Sequence, residues 1–289
     1  MRRPILLLAL IACSLALAQA PDDPNSTRGY LRTGKDLMFC LDKQNPMWRF
    51  EQDMATAIAQ SLGRKADFFV HRQPLPSVDT AAQPLERTEM LRLFAHRCDV
   101  YPGLVGSTTP AFDYPADEQM FATRPYLKVS YVFVSRVKNI KSLTSLPKNV
   151  PLSMELRGLP AYFMYTLRNG RFTERPVKTA ARLALDLKTG KAKAGLLFAP
   201  QLYSRSPNPG KEGMYVGPVK ELPNMTWYVI AGVRRDRPTL RQQIDGAISR
   251  LIRRGEVAKL LTKHKLANPF IVPAAPNDTR PQSETFDEN

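Results

Sequence analysis

Chemistry by metal would need histidines or cysteines in close pairs. This 289-residue chain has His71, His96 and His264 far apart and cysteines at 13, 40 and 98, with no paired ligand motif, so the sequence implies no metal and no cofactor. Nucleophilic catalysis would need a serine or cysteine beside a histidine. There is no Gly-x-Ser-x-Gly elbow and no phosphate-binding glycine loop. Glu51, Asp53 and Glu155 could work as acid and base only if folding paired them. The expected chemistry is binding rather than catalysis.

Other side chains stand where a ligand could meet them. In open α/β sheets ligands gather beyond the carboxyl ends of strands, and Asp42, Tyr101, Thr108 and Arg124 fall at or just past the ends of strand-like runs. Trp48 and Phe50 follow the turn after the first run, where an aromatic can cover a ligand or simply pack in the core. Arg157 and Gly158 precede a helix, whose first N–H groups together with Arg157 would suit an anion. A surface ion pair is the alternative for Arg157. Phe198 closes a short buried strand and is the remaining candidate for the cleft.

The elements that must hold these residues follow from periodicity. A composition of 43% hydrophobic and 24% charged residues suits one large domain or two lobes and excludes a wholly disordered chain. Strands are expected at Leu37–Leu41, Ala66–His71 and Asp99–Leu104, with a helix between the first two on Phe50, Met54, Ile58 and Leu62. A second helix carries Met90, Leu91 and Phe94. The run from Ala122 to Arg136, rich in β-branched and aromatic residues, and the similar Thr226–Val233 read as two strands crossing between lobes. Beyond the first crossing come strands at Val150–Met154, Ala194–Phe198 and Met214–Val219, a helix at Leu159–Leu167, and another capped by Thr179. Ser204–Gly213 reads as a mobile loop. The helical stripe Leu240, Ile244, Ile248 and Leu251 breaks at Gly255 and resumes with Val257 and Leu260. The expected fold class is α/β: two lobes, each a mainly parallel sheet flanked by helices, with a cleft beside two hinge crossings. Lobe 1 takes residues 28–130 and 234–268, lobe 2 takes 131–233, and 269–289 forms a flexible tail.

Residues 1–20 read as an export signal: Arg2 and Arg3, then the apolar run Ile5–Leu17, too short to span a bilayer. Leu10-Ile11-Ala12-Cys13 also resembles a lipoprotein cleavage box, the alternative in which Cys13 is a lipid anchor. Otherwise Cys13 leaves with the signal. Cys40 and Cys98 then remain, either as one disulfide in an oxidising compartment or as two buried thiols. The net charge of +16 excludes little by itself, but an exported protein seldom meets nucleic acid, so an acidic partner or surface is the better match. Many of the cations, from Arg241 to Lys265, also fit a solvated helix face.

Five segments in order carry a family resemblance: RFEQDMATAIAQSLG, RLFAHRCDVYPGL, TRPYLKVSYVFVSR, ALDLKTGKAKAGLLF, and IAGVRRDRPTLRQQIDGAISRLIRRGEVAKLLTKH. Together they resemble the type II periplasmic solute-binding proteins of family 3. Cys40, Cys98-Asp99-Val100, Thr123–Tyr126, Tyr131–Val134 and Ile230–Arg235 look most like the subgroup that accompanies quinoprotein (PQQ-dependent) methanol and alcohol dehydrogenases. The acidic, Pro-containing stretch Asp113–Glu118 departs from simpler members. The resemblance implies a periplasmic, non-catalytic protein whose partner is a quinoprotein dehydrogenase or its c-type cytochrome. Its alternative is a solute receptor serving an ABC permease. In amino-acid binders of the family, an Arg after a Thr-Pro pair holds the ligand carboxylate bidentately. Here Thr109-Pro110 is followed by Ala111 and Phe112. The carboxylate those binders use for the ligand ammonium is also missing, at Ala199.

Overall fold

The computed structural model describes residues 36–71, 93–94, 97–107, 120–156, 173–222 and 225–278. The expected export signal, Met90 and Leu91 of the expected second helix, the stretch Asp113–Glu118, the expected helix over Leu159–Leu167 and the last eleven residues lie outside them.

β1 (Asp36–Asp42) leads through a short turn to α1 (Trp48–Ser61), and β2 (Lys65–His71) returns parallel to β1. Phe50, Glu51, Met54, Ala55, Ile58 and Ala59 form one buried face of α1, the stripe that three- and four-residue spacing dictates. β3 (Val100–Ser107) lies on the other side of β1, also parallel. Cys40 and Cys98 are disulfide-bonded with their Cα atoms 5.4 Å apart, which ties β1 to the chain entering β3. Asp99 reinforces the join, its Oδ2 accepting from Met38 N at 3.0 Å. The bond lies on the sheet face away from α1, among Phe94, Tyr101, Leu104, Met120 and Ile230.

After β4 (Met120–Ala122) comes β5 (Leu127–Ser135), the first crossing strand. Its first half pairs with β10 (Thr226–Arg234) and its second half, Tyr131–Ser135, with β8 (Ala194–Phe198) and β9 (Tyr215–Pro218). β6 (Leu152–Glu155) and β7 (Glu174–Val177) complete the second lobe, with β8 and β7 parallel to β6 on either side. One curled sheet results, in the order β2-β1-β3-β10-β5-β8-β6-β7. α2 (Ala180–Lys188) packs on the second lobe, its N-terminus capped by Thr179, whose hydroxyl accepts from Arg182 N at 3.1 Å. α3 (Ala199–Tyr203) follows β8 directly. α4 (Pro238–Arg253) and α5 (Glu256–Lys263) return to the first lobe, separated by Gly255 at φ 69°.

Two expectations need correction. Ser204–Gly213 is compact rather than mobile: Pro209–Glu212 is a turn of 3-10 helix, and Ser206 is fully buried with its hydroxyl donating to Glu212. The chain after Pro269 is not all tail either. β11 (Ile271–Pro273) pairs antiparallel with Leu127–Val129, and the residues after it stay fastened to the crossing. Asp278 accepts from Tyr228 Oη at 3.0 Å and pairs with Lys128 Nζ at 3.0 Å, so one carboxylate holds both crossing strands.

Candidate functional site

Asp42 ends β1, and its Oδ1 accepts from Gln44 N at 2.8 Å, turning the chain toward α1. Asn45 repeats the device with Met47 N at 2.9 Å. Trp48, half-buried, starts α1 with the Arg49 guanidinium 5.3 Å above its ring. These residues form the carboxyl edge of the first lobe's sheet. Beneath them β3 is irregular. Ile230 pairs with Leu104 but Ala231 with Pro102, so Gly103 is an extra residue without a ladder partner, at φ 82°. A Cβ there would stand 2.6 Å from Asn45 Nδ2 and 3.3 Å from the Glu51 carboxyl carbon, so only glycine fits.

The bulge frees one N–H, and that group starts a buried relay. Gly103 N donates to Tyr126 Oη at 2.7 Å, and Tyr126 donates in turn to Glu51 Oε2. Glu51 is 1% exposed and Tyr126 0%. Burial pushes the Glu51 carboxyl up to about 8, against a smaller downward pull from the Tyr126 bond. Its second oxygen, Oε1, has no hydrogen-bond partner among the described residues. A protonated, neutral carboxyl is therefore the form that fits this site at neutral pH. Tyr126 itself is held well above its ordinary value, by burial first and then by Glu51.

The second lobe contributes a different set. Phe198 ends β8 with its ring 5.3 Å from Tyr131 on β5. Glu155 ends β6 and accepts from the backbone of Ala180 at the start of α2. Burial still raises its carboxyl. Burial and the nearby Glu155 together push Tyr131 upward. Tyr126 immediately precedes β5, and Tyr131 stands within it five residues later. The first crossing thus sets the buried Tyr126 against the first lobe and the half-buried Tyr131 against the second.

The remaining candidates are dispersed. Tyr101 is buried on the disulfide face of the sheet, its hydroxyl 3.0 Å from His71 Nε2. Arg124 is committed to holding elements together: its guanidinium donates to Ser249 Oγ and to the Pro276 carbonyl, and its backbone N to Asp245 Oδ1 at 2.7 Å. Thr108, Arg157 and Gly158 lie outside the described residues. Glu51 and Glu155 belong to different lobes, while Asp53 is bound by Lys263 Nζ and His264 Nε2, each at 2.7 Å, so the three acids form no pair. Among the described residues no group of His, Cys, Asp and Glu could hold a metal ion. No described helix is long and apolar enough to cross a membrane. Sequence reasoning missed the Glu51–Tyr126–Gly103 relay, although Pro102-Gly103 inside a strand run is the signal of a bulge.

No family model matches the chain. The protein MoxJ of Methylorubrum extorquens is 24% identical to it, over 84% of this chain and 86% of MoxJ. Among solved structures, an ancestral cationic amino acid solute-binding protein superposes with a TM-score of 0.56 at 18% identity, covering 79% of this chain and 95% of that one. A substrate-binding protein of a polar amino acid ABC uptake transporter from Streptococcus thermophilus gives 0.56 at 15% identity, over 81% of this chain and 88% of its own. A histidine kinase sensor domain with similarity to periplasmic binding proteins gives 0.54 at 13%, over 83% and 98%. At these identities the shared property is the fold, the two-lobed periplasmic binding protein type II architecture.

Proposed function

We propose that this protein is a non-catalytic, periplasmic accessory protein that uses a solute-binding-protein scaffold to support a quinoprotein (PQQ-dependent) methanol or alcohol dehydrogenase system by protein–protein contact. The observation that carries this reading is the similarity to MoxJ along most of both chains, which agrees with the resemblance of Cys40, Cys98-Asp99-Val100 and the two crossing strands to dehydrogenase-associated proteins. The cleft supports it from the other side. Ala199 is buried at the start of α3, where amino-acid binders of this family place a carboxylate, and Thr109-Pro110 lacks its following arginine.

Calorimetry of the mature protein against the twenty common amino acids should give nothing tighter than about millimolar, worth roughly 4 kcal/mol. A pull-down at low salt with dehydrogenase and c-type cytochrome from the same periplasm should recover one of them. If neither protein is recovered, but a small molecule from fractionated periplasmic extract raises the melting temperature, this reading gives way to the second one: a solute receptor for an ABC permease, taking a small polar or anionic ligand other than a standard amino acid by hinge closure. That alternative draws on the two-lobed fold itself, shared with amino acid transporter binding proteins.

A further inference from the structure

The charge of the chain is concentrated in one lobe. Residues 131–233 hold sixteen Lys and Arg against five Asp and Glu, a surplus of eleven in a chain whose whole net charge is +16. Three of those five acids are already engaged: Asp186 pairs with Arg182 at 2.9 Å, Glu212 accepts from Ser206, and Glu221 accepts from the backbone N–H groups of Thr144 and Lys220. Glu155 is drawn inward by burial. Among the described residues of this segment, what stays exposed is overwhelmingly positive.

Topology gathers these cations at one end. β6, β7 and β8 are parallel, with Leu152 level with both Glu174 and Ala194, and Ala194 opposite Ser135 at the end of β5. The carboxyl ends of these three strands, at Glu155, Val177 and Phe198, face the candidate cleft, so the amino ends form the opposite pole. Around that pole stand Arg136, Arg175, Lys188, Lys191, Lys193 and Lys211. Arg136 Nη1 donates to the Leu187 carbonyl at 3.2 Å, Arg175 Nη1 to that of Lys191 at 2.7 Å, and Lys188 Nζ to that of Arg205 at 2.8 Å. Carbonyls orient these groups without cancelling their charge. Among the described residues no carboxylate forms an ion pair with any of the six. Among the described residues Glu174 is the one exposed acid of this rim.

The helices α4 and α5, whose basic residues the sequence brings to notice, make a weaker surface. There carboxylates offset part of the charge: Lys259 pairs with Glu256 at 2.8 Å and Lys263 with Asp53 at 2.7 Å. We propose that the amino-end pole of the second lobe docks a protein bearing an acidic surface, leaving the cleft side free. The class of partner rests on the accessory-protein reading; the position of the surface rests on the charge distribution. Fixed cations complement a fixed acidic surface and steer its approach. A membrane surface is a poorer match, because lipid binding buries aliphatic and aromatic side chains, and Leu185 is the exposed large apolar residue of α2.

The test measures association of the mature protein with quinoprotein alcohol dehydrogenase and with c-type cytochrome, both purified from the same periplasm, at about 20 and about 150 mM salt. Lys191→Glu/Lys193→Glu/Lys211→Glu changes three exposed side chains with no described side-chain partner. It should slow association at low salt at least about tenfold. The pair Arg253→Glu/Arg254→Glu, on the exposed end of α4, should change it less than about twofold. If the triple variant binds like the original, or the α4 pair has the larger effect, the docking surface is wrong and the accessory role survives. If the unaltered protein binds neither redox protein, both fall. Binding to phosphatidylglycerol vesicles alone, lost in the triple variant, would assign the pole to the membrane and overturn the protein partner.

Discussion

Replacing Glu51 by Gln is expected to flatten the pH dependence of stability, with the difference widest on the alkaline side. The folded carboxyl has a pKa raised from 4.5 to about 8, so the folded state binds the proton more tightly than the unfolded chain does. Its contribution is fully present below pH 4.5 and is lost as pH rises toward 8. Across pH 5 to 8 the linkage amounts to about 3 kcal/mol for a single group shifted this far. Gln cannot ionise, and its carbonyl can still accept from Tyr126. Urea melts at several pH values should show the original protein losing stability over this range, with the variant losing about 3 kcal/mol less. Glu155 and Asp245, also raised by burial, are common to both proteins and cancel in the comparison. Parallel curves would mean that Glu51 is ionised in the folded state, and the neutral relay would be wrong.

Opening the Cys40–Cys98 bond should have an effect of similar size by a different route. The bond closes a separation of 58 residues, and the chain-entropy relation for a loop of that length gives about 4 kcal/mol. Cys40→Ala/Cys98→Ala should therefore unfold at a clearly lower urea concentration than the oxidised protein. Intact mass without reduction should read two hydrogens lighter than the reduced form. A stability loss under about 1 kcal/mol would show that the Asp99 bond to Met38 and the β1–β3 pairing already fix this join.

How much of this could be read beforehand varies by element, for physical reasons. β8 falls at the expected Ala194–Phe198, because a short apolar run between the basic turn Lys191–Lys193 and Pro200 has few alternatives. The Thr179 cap was legible for the same local reason. β4 and β11 are three residues each and gain their order from β10 and β5, partners far away in sequence. The relay was hidden by a general expectation, that an acid on an amphipathic helix faces water. Yet Glu51 lies four residues before Ala55 and one after Phe50, so helical period alone sets it on the buried stripe. Arg124 shows the opposite error. A cation beside a strand end reads as a ligand contact, while its actual partners, Ser249 and Pro276, are more than a hundred residues later.

The position of β10 in the sheet also sets a timetable. β3 lies between β1 and β10, and β10 is more than a hundred residues further along the chain. At a synthesis rate of 5–20 residues per second, the exposed edge of β3 waits on the order of ten seconds for its neighbour. An unpaired strand edge is a template for pairing with other chains. The growing polypeptide must therefore be shielded or kept unfolded until Thr226–Arg234 has been made, and the stitch of Asp278 across Lys128 and Tyr228 closes later still, once the chain has grown some forty residues past β10.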